Sequence, residues 1–300
     1  MLSIIICAHN PDLQKLNLVL NSLNQQTGID KLLEILLIDN CSTISLKAIP
    51  NLMVNSKVRI IEENELGLSK ARMRGVVEAK ANLLLFLDDD TPIDSEYVIN
   101  GLKIADDLPD LGSFGGSQIA RFEVDVPQYA LPYIEMIGSR YIAEKRMSKE
   151  YTWETTPGGA GMFIRKHIAE HYQRIASESA VRKNLGKKGK IQMCSEDVDM
   201  AYTSIDLGYN NGLFPNLKLY HYIPTKHLSR KYLLKRKFYN VYSNSLLEHV
   251  RFQKRPYVQS FKSFFMDFKK MIVGRKIFDA SMLLSERLAL RKAIKFIESN

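Results

Sequence analysis

The chain has 300 residues, of which 45% are apolar and 25% are charged, a composition typical of a globular protein. No apolar run reaches the roughly 18 residues of a transmembrane helix, and Met1 leads directly into the strand-like LSIIICA, so neither a membrane span nor a signal peptide is expected. The three cysteines, Cys7, Cys41 and Cys194, are scattered and lack CxxC spacing, which favours reduced thiols in a cytoplasmic protein.

The formal net charge of +9 is distributed unevenly along the chain. Residues 222–300 contain 18 Lys and Arg against five Asp and Glu, a net of +13, whereas residues 1–221 have a net of −4. A basic tail on a slightly acidic body indicates a partner with an anionic surface.

Apolar runs of strand length alternate with helical periodicity in the first 110 residues. The predicted strands are 2–8, 33–38, 58–61 and 82–87, and the predicted helices are 12–26 and 69–80. Because these strands are almost continuously apolar, they predict a mostly parallel sheet covered on both faces. Neither GxGxxG nor GxxxxGK[ST] follows the first strand, which argues against a dinucleotide-binding or P-loop protein.

The second half of the chain is less regular. The predicted elements are a strand at 113–122, a glycine-rich turn entering a strand at 157–165, a helix at 195–207, a strand at 217–222 and three helices near 229–253, 257–273 and 279–298. We find no internal repeat.

Three adjacent carboxylates, Asp88, Asp89 and Asp90, end the fourth predicted strand in the sequence LLLFLDDD. Alternate residues of an extended segment point the same way, so Asp88 and Asp90 are expected to share a side. Their oxygens suit a hard divalent cation, which can also bridge a diphosphate. The alternative is a solvated loop whose acids cap a helix at 94–106, and the local sequence favours neither.

Six segments resemble, in their order and spacing, family-2 inverting glycosyltransferases with the GT-A fold: CAHN, LLIDNCS, ENELGLSKARMRG, LLLFLDDD, GGAGMFIRK and SED. The resemblance covers residues 1–245. It implies an α/β, Rossmann-like nucleotide-diphospho-sugar transferase with a mostly parallel central sheet flanked by helices. The predicted division is a catalytic domain at 1–225, with nucleotide-binding (1–110) and acceptor-binding (111–225) halves, and a basic helical C-terminal extension at 226–300.

The resemblance implies a site for the donor nucleotide at the strand ends. The residues expected to contact the nucleotide are Ala8, His9, Asn10, Asp39, Arg72, Asp88 and Asp89. Asp39 matches an aspartate that accepts a hydrogen bond from the base, and its alternative role is an Asx turn. Arg72 matches an arginine near the nucleotide, but the asparagine usual beside it is Met73 here. Arg74, two positions along the same predicted helix, is expected to face solvent.

The resemblance also implies a Mn²⁺ or Mg²⁺ ion on the donor diphosphate. Asp90 is the expected direct ligand, with Asp88 beside it. His221 ends a predicted strand and is a candidate third ligand, since a neutral imidazole suits Mn²⁺. Its alternative role is a structural histidine at the strand end.

Asp197 is expected to be the general base, because the SED segment matches the family motif that supplies it, with Glu196 next to it. The alternative is acidic charge that complements the dipole at a helix N-terminus. A glycine loop, Gly158, Gly159 and Gly161, is expected beside the donor sugar and acceptor, unless it is only a tight turn. Trp153 either stacks on a sugar ring or packs against protein.

The function implied is transfer of a sugar, with inversion, from a UDP-, GDP- or dTDP-sugar to a saccharide or lipid-linked acceptor in polysaccharide or cell-envelope biosynthesis. The basic tail suggests an anionic membrane as a further partner, which would place a cytoplasmic protein at the inner face of the membrane. No helix-turn-helix, RNP or zinc-finger pattern supports nucleic-acid binding. The alternatives are a sugar-phosphate nucleotidyltransferase, whose glycine-rich basic signature is missing, and a non-catalytic glycan- or membrane-binding protein.

Overall fold

The structure is a computed structural model that describes residues 1–49, 52, 57–274 and 276–299; Arg275 and Asn300 of the predicted extension lie outside the described residues. The strands are β1 (Leu2–Ala8), β2 (Leu32–Asn40), β3 (Val58–Glu63), β4 (Leu83–Asp88), β5 (Leu111–Phe122), β6 (Arg146–Ser148), β7 (Met162–Arg165) and β8 (Asn210–Ile223). The α-helices are α1 (Leu13–Asn24), α2 (Leu68–Glu78), α3 (Tyr97–Asp107), α4 (Lys166–Glu178), α5 (Glu196–Asp206), α6 (Arg230–Phe252), α7 (Phe261–Val273) and α8 (Ile277–Ser299).

The strands form one mixed sheet in the order β3-β2-β1-β4-β7-β5-β8-β6. β1 pairs in parallel with β2 and β4, and β2 pairs in parallel with β3. β7 runs antiparallel to both β4 and β5, and β6 runs antiparallel to β8. The expected parallel arrangement thus holds for β1 to β4, and the α/β fold flanked by helices is confirmed.

Helices cover both faces of the parallel strands, which explains why β1 is buried at every position. Its alternate side chains Leu2, Ile4 and Ile6 pack in the cluster that contains the buried side of α1 and α3. Ile5 and Cys7 point the other way, into the cluster that contains residues of α2, α4 and α5. A strand with an apolar layer on each side has no polar alternation, as its sequence indicates.

The first helix follows directly from its sequence. Asp12 caps α1, because its carboxylate accepts the backbone N–H groups of Gln14 and Lys15 at 3.0 and 3.4 Å. The buried residues recur at helical spacing: Leu16, Val19, Leu20 and Leu23.

The chain forms two compact units. The first comprises Met1–Arg121, Gly138–Glu178 and Asp197–Tyr222, and the second comprises Phe122–Ile137, Ser179–Glu196 and Ile223–Asn300. Within the second unit, α6 and α8 pack together through the pair Lys237–Glu286 at 2.7 Å and a hydrogen bond from Ser285 Oγ to Leu234 O at 2.8 Å.

In the described part of the chain, none of the helices combines the length and apolar character needed to cross a membrane.

Candidate active site

The strand register gathers the predicted site segments at one edge of the sheet. Ala8 at the end of β1 pairs with Asp39 of β2, and its neighbour Cys7 pairs with Asp88 of β4. The two carboxylate-bearing positions therefore flank the end of β1 on opposite sides. The carboxyl edge of parallel strands is where open α/β sheets bind ligands.

The turn after β1 is tied to the turn after β2. Nδ1 of His9 donates to the carbonyl of Asn40 at 2.7 Å, and the backbone N–H of Asn10 donates to Ser42 Oγ at 3.0 Å. The side-chain oxygen of Asn10 accepts from Thr43 N–H at 2.8 Å. Asn10 has a φ of 48°, in the left-handed region that asparagine tolerates. His9 and Asn10 thus shape the two turns, which is compatible with the predicted nucleoside contact.

Asp39 is buried and makes the turn contacts given as its alternative role. Its Oδ2 accepts the backbone N–H of Leu46 at 2.9 Å, and its Oδ1 accepts that of Ser42 at 3.2 Å. Each carboxylate oxygen can accept a second hydrogen bond. The turn and a contact to a nucleotide base can therefore coexist, and the base contact stays a prediction.

Asn40 is a buried residue of the site that the sequence did not single out. Its side-chain nitrogen donates to the carbonyls of Glu63 and Glu65 at 3.2 and 2.9 Å. Its side-chain oxygen accepts the backbone N–H of Gly67 at 2.8 Å. Asn40 therefore joins the end of β2 to the segment that leads into α2, and so positions the helix that carries Arg72.

The two arginines of α2 face different directions, as their spacing predicts. Arg72 is only 4% exposed, and its Nη2 lies 3.5 Å from Asp88 Oδ1. Its guanidinium carbon lies 5.9 Å from the centre of the Phe86 ring. The side chain of Arg74 is 43% exposed and pairs with Glu78 at 2.9 Å. A buried guanidinium beside a strand-end carboxylate is thus held at the edge of the sheet.

Asp197 meets the glycine loop at the start of α5. Its Oδ2 accepts the backbone N–H of Gly159 at 2.7 Å, and its Oδ1 accepts that of Val198 at 2.9 Å. A Cβ atom on Gly159 would lie 2.5 Å from Arg72 Nη2 and 2.9 Å from Asp197 Oδ2. A side chain at this position would therefore displace Arg72 or Asp197, and Gly159 lies against both charged groups.

Glu196 and Asp197 differ in accessibility although they are adjacent. Glu196 is buried, with 2% of its surface exposed, whereas Asp197 is partly exposed. Of the two predicted catalytic residues, Asp197 is therefore the one that a substrate can reach.

The rest of the glycine loop is anchored to the sheet. Gly161 has a φ of 82°, donates its N–H to the carbonyl of Phe86 at 2.8 Å and accepts the hydroxyl of Tyr97 at 2.7 Å. Complete burial raises the pKa of the Tyr97 phenol well above its ordinary value, so this hydroxyl remains a donor. A Cβ on Gly158 would lie 2.5 Å from the side-chain nitrogen of Gln118. The loop is thus held rigidly beside Asp197.

Trp153 is exposed and stacks on an arginine. The guanidinium carbon of Arg140 lies 4.5 Å from the centre of the indole ring, and Nη2 of Arg140 donates to the carbonyl of Trp153 at 2.6 Å. The packing contact given as the alternative role of Trp153 is therefore present, and sugar stacking stays a prediction.

Asp90 and His221 face each other across a short gap. Their Oδ2 and Nε2 atoms are 3.9 Å apart, which is longer than a hydrogen bond. Nδ1 of His221 lies 3.1 Å from the carbonyl of Gly138, which only accepts, so Nδ1 carries a proton. In the neutral ring, the Nε2 lone pair therefore points to the side of Asp90. A backbone carbonyl that fixes the ring in this way is typical of metal-binding histidines.

The donor set of this gap fits a divalent metal that takes further ligands from a substrate. One carboxylate oxygen and one imidazole nitrogen suit Mn²⁺, and a carboxylate with substrate phosphates suits Mg²⁺. Among the residues that the structure describes, no three His, Cys, Asp or Glu side chains form a group that could hold a metal ion by itself. Asp88, the other expected ligand, has its Oδ1 3.5 Å from Nη2 of Arg72, and its role as a metal ligand stays a prediction.

Gly138 is a second residue that the sequence did not single out. It has a φ of 89°, and a Cβ there would lie 2.5 Å from Nδ1 of His221. It therefore supplies both the carbonyl that orients the imidazole and the space in which the ring sits.

The protein has an α/β fold whose mixed sheet gathers carboxylates, a buried arginine and a glycine loop at one edge, where open α/β sheets bind ligands. The model of glycosyl transferase family 2 matches residues 3–173, so the chain belongs to this family. A comparison with curated protein sequences found no match.

Solved structures that resemble this chain include the following two. A crystal structure of GalNAc-T7 with UDP, GalNAc and Mn²⁺ has a TM-score of 0.54 and 15% identity, covering 82% of this chain and 51% of that one. A crystal structure of TarS residues 1–349 from S. aureus, in complex with UDP-GlcNAc, has a TM-score of 0.48 and 16% identity, covering 81% of this chain and 66% of that one. The chain thus spans about half of the GalNAc-T7 chain, and together with the family match that likeness confirms the GT-A fold.

Proposed function

We propose that the protein transfers a sugar from a nucleotide-sugar donor to a hydroxyl acceptor, with inversion and with a divalent metal. The observation that carries this proposal is the convergence of Asp197, Arg72 and Gly159 at the carboxyl edge of the sheet, with Asp88 on Arg72. Family membership supports the transferase class, and the proximity of these side chains supports their proposed roles.

The donor nucleotide is proposed to bind across the ends of β1, β2 and β4. The turn at Ala8, His9 and Asn10, together with Asp39, would contact the nucleoside. Asp88 would face the nucleoside end of the donor, Arg72 would lie near the nucleotide, and Asp89 would be a further contact. The bound UDP of the GalNAc-T7 structure supports a nucleotide donor, and UDP-, GDP- and dTDP-sugars are the candidates.

Asp90 and His221 are the proposed metal ligands, with Asp88 nearby. A Mn²⁺ or Mg²⁺ ion, when bound, would neutralise the charge that develops on the leaving diphosphate. The Gly138 carbonyl holds the imidazole with its Nε2 towards Asp90. The Mn²⁺ in the GalNAc-T7 structure supports a metal in this fold.

Asp197 is the proposed general base. Its carboxylate accepts the proton of the acceptor hydroxyl while the hydroxyl oxygen forms a bond to the anomeric carbon. The bond from that carbon to the diphosphate oxygen breaks, and its electron pair leaves with the diphosphate. A single displacement of this kind inverts the configuration. The Gly159 N–H keeps Asp197 oriented, and a positioned base typically contributes about 10²–10⁴-fold.

The acceptor is proposed to be a saccharide or a lipid-linked saccharide, and the protein is proposed to work at the surface of an anionic membrane. The net charge of +13 in residues 222–300 supports this location. A hexosyl group is the proposed sugar.

The test is a panel of nucleotide sugars assayed for hydrolysis and transfer with and without Mn²⁺. We expect one nucleotide class to bind and to turn over with the metal, and Asp90→Ala to abolish the metal dependence. Asp106→Ala, an exposed carboxylate in α3, is the matched control and should behave like the wild type. The transferase proposal fails if no donor binds and Asp90→Ala has the same properties as the wild type.

A further inference from the structure

A row of large apolar side chains on α7 faces water. Phe261, Phe265 and Ile272 are 69%, 55% and 42% exposed, and the partly exposed Phe268 lies between the last two. The spacing of i, i+4, i+7 and i+11 places all four on one face of the helix, here called the α7 stripe. The rings of Phe261 and Phe265 stack with centroids 6.3 Å apart. Contiguous exposed apolar surface of this kind marks an interaction site.

One edge of the α7 stripe borders the contact between α7 and α8, because the buried Phe264 stacks on Phe268 of the stripe with ring centroids 5.8 Å apart. Phe264 is buried, and the guanidinium carbon of Arg287 in α8 lies 4.6 Å from its ring centre. The side-chain nitrogen of Gln259 donates to Ser263 Oγ at 2.6 Å and to Asp267 Oδ2 at 2.8 Å. Phe264 therefore packs α7 against α8 beside the partly exposed Phe268, and the stripe remains exposed at Phe261, Phe265 and Ile272.

The charge around the α7 stripe is strongly positive. Residues 252–277 contain seven Lys and Arg and one acidic residue, Asp267. Asp267 is engaged by Gln259, whereas Lys262, Lys269 and Lys270 are exposed. On a helical wheel Lys262 and Lys269 lie next to the stripe. The patch thus combines an aromatic stripe with a basic border, which is complementary to an anionic surface with an apolar interior.

This combination favours a lipid surface over a protein partner. Lysine is depleted in protein–protein interfaces, whose centres are apolar and whose rims are mixed in charge. A helix that lies in a membrane interface instead has Phe or Leu on one face and Lys or Arg beside it. Exposed aromatic and aliphatic residues continue at both ends of α7, at Tyr257, Val273 and Ile277.

We propose that α7 lies in the plane of an anionic membrane, with the α7 stripe in the boundary between head groups and acyl chains and with its lysines on the lipid phosphates. The proposal rests on the membrane part of the proposed function and identifies the element responsible. It does not depend on sugar transfer, because vesicle binding is measured without donor or acceptor.

The experiment is sedimentation of the full chain with phosphatidylcholine vesicles that contain or lack phosphatidylglycerol. We expect the wild type to pellet with the anionic vesicles and to stay in the supernatant with neutral ones. The double substitution Phe261→Ser and Phe265→Ser should weaken binding by on the order of tenfold or more. Replacing Lys262, Lys269 and Lys270 with Gln should have an effect on the order of tenfold or more at low salt, and a smaller one at high salt.

The matched control is Leu18→Ser with Val77→Ser, which removes two exposed apolar side chains from α1 and α2. This variant should bind vesicles like the wild type. The proposal is overturned if the wild type stays in the supernatant with anionic vesicles, or if the α7 double variant pellets as well as the wild type. It is also overturned if the wild type is a dimer without lipid and the α7 double variant is a monomer, because the stripe would then be a protein interface. Vesicle binding without donor turnover would leave this inference intact and contradict only the transferase proposal.

Discussion

The two compact units use charge in opposite ways. In the first unit, the charged groups of the candidate site are buried or partly buried and held by specific contacts, as Arg72 is by Asp88 and Asp197 is by Gly159. In α7 of the second unit, lysines are exposed beside an apolar stripe. Charged groups held in fixed positions can stabilise the charge that develops at one point during a reaction. Mobile charges on the surface instead attract an extended anionic surface. Substitutions of the charged residues of the candidate site should therefore change the reaction rate or the free energy of unfolding by an amount that depends little on salt concentration.

The largest expected effect is on the proposed base. Asp197→Asn keeps the shape of the side chain and can still accept the Gly159 N–H, but it cannot take a proton from the acceptor. We expect the transfer rate to fall by about 10²–10⁴-fold while donor binding is retained. Transfer assays and donor titrations measure the two quantities separately.

The control for this prediction is Asp206→Asn, at the other end of α5. It should leave the transfer rate close to that of the wild type. If Asp197→Asn lost donor binding and transfer together, Asp197 would be a structural partner of the glycine loop rather than the base. Repeating the assay at high salt sharpens the comparison, because the loss should not change with ionic strength.

The second-largest effect is expected for Asn40, whose buried side-chain amide joins the end of β2 to the segment before α2. Asn40→Ala removes two hydrogen bonds to carbonyls and leaves the Gly67 N–H without its acceptor. We expect a loss of about 1–3 kcal/mol in the free energy of unfolding. Since the segment leads into the helix that carries Arg72, donor binding should weaken as well. Urea unfolding and donor titration measure the two effects.

Asn64→Ala is the matched control, because Asn64 is an exposed asparagine in the same segment. It should change the free energy of unfolding little. Equal losses for the two variants would mean that the buried amide has no special role in holding the segment.

The strands that carry the site could be predicted from the sequence because they are buried on both faces. The predicted bounds of the strand runs 2–8 and 82–87 agree with β1 and β4 to within a residue. β8 was predicted only from 217, although it begins at Asn210, because Pro215 interrupts the strand pattern. The helix α4 was not predicted. Its buried residues Ile168, Ala169 and Tyr172 recur at helical spacing, so the sequence did contain a signal for this helix.

The site was predictable only where its residues follow strand ends. The carboxylates at Asp39 and Asp88 are local features of apolar runs, and the register brings them together. Gly138 follows no strand end, and Asn40 ends β2 but makes side-chain contacts to residues 23 to 27 positions away, which no local pattern indicates. The contact from His221 to Gly138 spans 83 positions, and nothing near Gly138 in the sequence indicates a partner so distant. The burial of Glu196 beside the accessible Asp197 likewise depends on packing that no local pattern reveals.

The smallest expected effects are on the free energy of unfolding, and they concern one carboxylate in each unit. Glu34 in the first unit is buried, and Glu286 in the second is partly exposed. Burial of Glu34 acts to raise the pKa of its carboxyl, but hydrogen bonds outweigh burial and lower that pKa below its ordinary value near 4.5. The donors are the backbone N–H of Lys80 at 2.7 Å, Nη1 of Arg59 at 2.7 Å and the hydroxyl of Ser3 at 2.9 Å. A lowered pKa in the folded state means that the ionised carboxylate stabilises the fold.

This stabilisation is fully present above the pKa of the unfolded state and is lost as the pH falls through that value to the lower folded one. Glu34→Gln should therefore lower the free energy of unfolding at neutral pH, and the difference from the wild type should shrink in acid. Glu286→Gln removes the partner of Lys237 on the second unit, a partly exposed pair for which we expect a contribution of about 0–1 kcal/mol. Urea unfolding from neutral to acid pH measures both variants. If Glu286→Gln lowered the free energy of unfolding at neutral pH as much as Glu34→Gln does, the contrast between fixed charges in the first unit and surface charges in the second would not hold.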